Sequence, residues 1–61
     1  MYKVNSYIGE DCVIKQTYKS LAWAIKEFRK RTEAGVYSYV ELCEEIDDKN
    51  RIITRFEDIP F

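Results

Sequence analysis

The residue types that most often perform chemistry are thin in this chain. There is no histidine. That removes the side chain whose ordinary pKa suits proton transfer near neutrality. It also removes every Ser–His and Cys–His nucleophile system that one chain could build. The two cysteines, Cys12 and Cys43, are far apart, and neither belongs to a CxxC pair. Without His or paired Cys, zinc has no ligand set, and no metal or cofactor is expected. Both thiols are read as reduced, buried small hydrophobes. Gly9 and Gly35 are isolated, so no glycine-rich phosphate loop exists. The carboxylates fall in turns and on strand faces expected to be wet. A chain of 61 residues is also expected to be too small for a pocket of roughly 300 Å³ without a partner. The expectation is therefore a protein that is not an enzyme.

Composition sets the frame that must hold any remaining functional residues. Sixty-one residues make one domain, 1–61, which buries only about 60% of its unfolded surface. A hydrophobic fraction of 46%, with five Tyr, three Phe and one Trp, argues for a real core and against disorder. Ten basic and eleven acidic residues nearly cancel, which gives no general pull toward nucleic acid or a membrane surface. No apolar run approaches the roughly 18 residues of a spanning helix. The start, Met1-Tyr2-Lys3-Val4, lacks the apolar stretch of a signal peptide, so a cytoplasmic location is expected. The chain reads as a complete, very short open reading frame.

The pattern predicts one helix over Leu21 to Ala34, where Leu21, Ala24, Ile25 and Phe28 recur at helical spacing. Ser20 is the expected N-cap and Gly35 the left-handed stop. Two strands, Tyr2 to Ile8 and Cys12 to Thr17, flank Gly9-Glu10-Asp11. A three-residue loop there pairs Ile8 with Cys12, Ser6 with Ile14 and Val4 with Gln16. Val4, Ile8, Cys12 and Ile14 then share the face under the helix. Two more strands, Val36 to Ile46 and Arg51 to Glu57, flank Asp47-Asp48-Lys49-Asn50. Their expected register pairs Leu42 with Phe56 and Ile46 with Ile52. Val40, Leu42, Ile46, Ile52 and Phe56 then share the second hairpin's covered face.

The layout is hairpin, helix, hairpin, an α+β domain of ββαββ order with one helix on a mainly antiparallel four-stranded sheet. It resembles the immunoglobulin-binding domains of protein G in element order over nearly the whole chain. That resemblance implies that the first and last strands lie together at the centre of the sheet.

Three surfaces are candidates for function. If Leu21, Ile25 and Phe28 face the sheet, Trp23 points away from it beside Lys26, Glu27 and Lys30, at about 100° per residue. The alternative folds Trp23 over a sheet edge or under a Pro60-Phe61 tail. Second, one helix covers one sheet face. The other is expected to show Tyr7, Val13, Tyr37, Tyr39, Cys43 and Ile53, a patch suited to another protein or a second copy. Third, Lys19, Lys26, Arg29, Lys30 and Arg31 gather around the helix. Glu41, Glu44, Glu45, Asp47, Asp48, Glu57 and Asp58 gather in the second hairpin, diluted by Lys49, Arg51 and Arg55. Three readings follow: a basic phosphate contact, an acidic imitation of a nucleic-acid backbone, or an ordinary solvated surface.

The chain's size and its content of Tyr, Lys and Ile resemble the small host-directed and anti-defence inhibitor proteins of bacteriophages. The resemblance implies a protein partner and carries no residue roles. From the residues, the expected contact is Trp23 with Lys26 and Lys30, or the Tyr7, Tyr37, Tyr39 and Ile53 face. A small nucleic-acid-binding regulator and a structural homo-oligomer are the competing readings. Nucleic acid is disfavoured, because the strands carry too many acids for a reading platform. No membrane partner is expected.

Overall fold

The computed structural model describes residues 1–57. Four strands and one helix follow in the order β1 (Tyr2–Ile8), β2 (Asp11–Tyr18), α1 (Leu21–Ala34), β3 (Tyr39–Ile46) and β4 (Lys49–Glu57). The ββαββ order and the α+β class match the pattern of the sequence. Asp58 and the Pro60-Phe61 tail lie outside the described residues. Among those residues, no helix is long and apolar enough to cross a membrane.

The sheet order is β2-β1-β3-β4, and every neighbouring pair is antiparallel. The first and last strands are therefore not central partners. β1 pairs with β3, and β4 takes an edge. Residue chemistry explains the placement. β3 brings Val40 and Leu42 to the covered face, where both are fully buried opposite Ser6 and Val4 of β1. β4 brings Phe56 to the same face but with it Lys49, Arg51 and Thr54, and a strand so polar stabilises a core less well. β2 and β3 run the same way on either side of β1, and α1 is the crossover between them.

Both hairpins turn more tightly than expected. Ile8 pairs with Asp11, so Gly9 and Glu10 form a two-residue turn. Gly9, at φ 62°, holds the position where such a turn favours glycine. Asp47 (φ 51°) and Asp48 (φ 64°) form the second turn, and Ile46 pairs with Lys49. Positive φ at both central residues is the mark of a type I′ turn. Both edge strands then absorb one extra residue in a bulge. Ser6–Ile14 and Val4–Gln16 pair as expected, but Tyr7 faces Cys12, with Val13 as the extra residue. Leu42 pairs with Thr54 rather than Phe56, and Cys43 with Ile52, with Ile53 as the extra residue. Each bulge reverses the faces beyond it. Cys12 and Ile52 consequently leave the covered face and join the open one.

The helix has the expected bounds. Ser20 is extended at its N-terminus without a side-chain cap, and Gly35 stops it at φ 72°. Its buried stripe is rotated from the expected one. Ala24 is fully buried and Arg31 is 5% exposed, whereas Leu21 and Ile25 are 40% and 38% exposed. Ala24 has no bulk to hold the helix off the sheet, and Arg31 finds its hydrogen-bond partners there. The core is Val4, Ala24, Val40 and Leu42, ringed by half-buried Tyr2, Tyr18, Phe28 and Tyr37.

Candidate functional site

Arg31 fixes how the helix presents its outer face. Its guanidinium donates from Nε to Glu27 Oε1 at 2.9 Å and from Nη1 to Ser6 Oγ at 2.9 Å. A longer Nη1 contact, 3.5 Å, reaches the Val4 carbonyl. Nη2 donates to Gln16 Oε1, which also accepts from the Tyr18 hydroxyl. One side chain thus ties α1 to both strands of the first hairpin. A buried cation needs this degree of pairing, because an uncompensated one would cost several kcal/mol. In the sequence Arg31 belongs to the basic cluster around the helix. It is not available to a phosphate, because its charge is committed inside the fold.

The same rotation sets Trp23. It stands one residue, about 100°, from buried Ala24, so it lies on the flank of the helix rather than opposite the sheet. Trp23 is 62% exposed, the most exposed large hydrophobic among the described residues. Lys26 places its Nζ 5.1 Å from the indole centroid, within cation–π range. Lys30 is exposed one turn beyond. Lys26, Lys30 and Arg29 line a shallow groove on the outer helix with Ala22, Ile25 and Glu33. An indole has only two side-chain torsions, so it has little conformational freedom to lose on entering a socket.

The open sheet face has a polar centre that the sequence reading missed. Glu41 accepts hydrogen bonds at Oε1 from Asn5 Nδ2 (2.9 Å) and the Tyr7 hydroxyl (3.2 Å). Its Oε2 accepts from the Tyr39 hydroxyl at 3.2 Å. The Tyr7 and Tyr39 rings meet edge to face, 5.4 Å between centroids. Burial, then the Glu41 charge and its hydrogen bond, push the Tyr7 phenol up to about 12. The same three causes raise Tyr39. Both hydroxyls therefore remain protonated donors through the physiological range. Asn5 is nearly buried, and its Oδ1 has no hydrogen-bond partner among the described residues. The available signal was register: Asn5 lies directly opposite Glu41, and Tyr7 opposite Tyr39.

The expected open-face patch is therefore only partly assembled. Tyr7 and Tyr39 lie at its centre, and Ile53 is 41% exposed at the β4 bulge beside Ile52, 49% exposed. Val13 is exposed at the other bulge. Cys43 is buried, whereas Cys12 is exposed opposite Tyr7, against the expectation of two buried thiols. Tyr37 does not belong to this face. It precedes β3 and packs against the core cluster on the helix side. There it lines a cleft of about 300 Å³ between α1 and β2, with Ile14, Gln16, Glu27 and Arg31. That cleft reaches the size the chain was expected not to support, because small Ala34 and the β2 edge leave the space beside the helix unfilled. Its polar side chains are largely taken up by the Arg31 network.

The acidic residues of the second hairpin are spread over both faces. Glu41 serves the tyrosines and Glu45 pairs with Lys3. Glu44 lies opposite Arg51 and Glu57 approaches Arg55 at 3.9 Å. No group of three or more Cys, Asp or Glu side chains among the described residues is arranged to hold a metal ion. No family model, no curated protein and no solved structure matches this chain.

Proposed function

We propose that this chain is a non-enzymatic protein-binding module that acts by occupying a partner's surface. The exposure of Trp23 on the rigid helix, with Lys26 over its ring, carries the reading. Large aromatic side chains held in place and left in water are the residues that most often anchor protein interfaces. The size and composition of the chain support a role like that of the phage proteins that inhibit a host protein or defence system, in the host cytoplasm. Lys26 and Lys30 flank the anchor, and the partner is a protein rather than nucleic acid or membrane.

A second reading concerns self-association. Tyr7, Tyr39, Ile52 and Ile53 supply aromatic and aliphatic area on the uncovered face. A second copy packed there would bury it. Sedimentation of the wild type and of Tyr39→Arg separates this reading from the first. A dimer that Tyr39→Arg dissociates supports it, and a monomer at all concentrations removes it.

The principal reading is tested by capture from bacterial lysate with the tagged chain and with Trp23→Ala. A specific protein retained by the wild type and lost from Trp23→Ala is the expected result. Equal retention by a folded Trp23→Ala would show that the helix face is not the contact.

A further inference from the structure

The internal pairing of Arg31 has an electrostatic consequence on the opposite side of the helix. Arg31 draws Glu27 inward, and the Glu27 side chain is 25% exposed. The outer face is left with Lys26, Arg29 and Lys30, all exposed, against Glu33 alone. The chain as a whole carries a net charge of −1, so this basic strip is local and not a general excess. It is bounded by apolar groups, Trp23 on one flank and half-exposed Ile25 on the other.

We infer that the partner of this face is an acidic protein surface that contains an apolar socket for Trp23. The inference rests on the binding role proposed above and adds the chemistry of the partner. Three cations on two successive turns, Lys26 and then Arg29 with Lys30, form a strip whose charge is complemented by carboxylates lying along it. Rim charges of this kind speed association and select the partner, while the buried indole holds the complex together. Nucleic acid fits less well. Arg31 is withdrawn into the core, and three cations beside the Glu33 carboxylate are few to neutralise a phosphate backbone.

Trp23 is the single tryptophan of the chain, so its emission reports this face alone. The full chain is titrated with an amphipathic peptide of Glu and Leu, with the same peptide carrying Gln for Glu, and with a single-stranded oligonucleotide. The expected result is a saturable blue shift with the Glu peptide. Binding is weaker by about tenfold with the Gln peptide, and it weakens as salt is added. Arg29→Glu with Lys30→Glu leaves Lys26 over the ring and reduces binding of the Glu peptide by a similar factor. Equal binding of both peptides overturns the acidic partner while leaving Trp23 as an apolar anchor. Tighter binding of the oligonucleotide overturns it in favour of a phosphate partner. No response to the Glu peptide also overturns it, and capture with Trp23→Ala still decides the binding role independently.

Discussion

Arg31 and Glu27, one turn apart on α1, are joined by a 2.9 Å hydrogen bond that lies on the sheet side of the helix. A pair of this spacing on an exposed helix is worth a few tenths of a kcal/mol. Here the same guanidinium also holds Ser6, Gln16 and Val4, and the arginine is 5% exposed. Arg31→Ala leaves the Ser6 hydroxyl and other acceptors without their donor. The expected loss is about 1–3 kcal/mol in urea unfolding, the cost of unsatisfied buried polar groups. Glu27→Gln keeps an acceptor and costs less. An unchanged unfolding midpoint for Arg31→Ala would mean that the network is not formed in solution.

The second hairpin turn holds two aspartates at positive φ, a conformation that glycine adopts freely and that aspartate and asparagine adopt at some cost, though at less than other side chains. Asp47→Asn with Asp48→Gly supplies the sequence this turn favours. The double variant should be more stable by about 0.5–2 kcal/mol, the usual gain from relieving such strain. Thermal unfolding measures it. A fall in Tm would show that the aspartates make contacts that outweigh their backbone strain.

The tyrosines of the open face couple stability to alkaline pH. Tyr7 titrates near 10 when unfolded and near 12 when folded, so the folded state holds its proton more tightly. Stability from this group is complete below pH 10 and is lost as pH rises through about 12. Tyr39, also raised, loses stability in the same direction. Glu41→Gln removes the carboxylate's contribution but not the burial. The tyrosinate absorbance should then appear at lower pH than in the wild type, without returning fully to the ordinary value. Identical titration curves would show that Glu41 does not hold the hydroxyls.

Cys12 and Cys43 differ in access. Cys12 is exposed, whereas Cys43 is 4% exposed, and burial, followed by the Glu41 charge, raises the Cys43 thiol. An aromatic disulfide reagent should label one thiol quickly in the folded protein and the second only on unfolding. Rapid labelling of both would show that β3 and β4 separate readily.

Much of the fold was legible because punctuation and periodicity agreed. Ser20 and Gly35 bound a helix whose apolar residues recur at the right spacing, and Gly9 marks a turn between two alternating runs. The first hairpin's register was legible away from its turn, at Ser6–Ile14 and Val4–Gln16, whereas the second hairpin's was not. The bulges at Val13 and Ile53 each add one residue, and no residue type announces that choice. Their displacement sent Cys12 and Ile52 to the opposite face. The strand order was not legible either, because the observed register alone puts Arg51 rather than Ile52 on the helix side of β4. The helix orientation was misjudged for a related reason. Hydrophobicity favoured Leu21 and Ile25, but a buried arginine with partners on two strands turned the helix. Of the candidate site, the exposure of Trp23 was expected from spacing, but the rotated helix carries it to the flank and not opposite the sheet. Glu41 was passed over because its role depends on Asn5, Tyr7 and Tyr39 converging across two strands.

The central claim is that Trp23 serves a partner and not the fold. Paired measurements on Trp23→Ala, its unfolding in urea and its affinity for the protein captured by the wild type, test this most directly. A residue 62% exposed should leave stability within about 0.5 kcal/mol of the wild type. As an interface anchor its loss should weaken binding by about 2 kcal/mol or more, roughly thirtyfold. Unchanged affinity in a folded Trp23→Ala, or a large loss of stability with no separate effect on binding, would contradict the account.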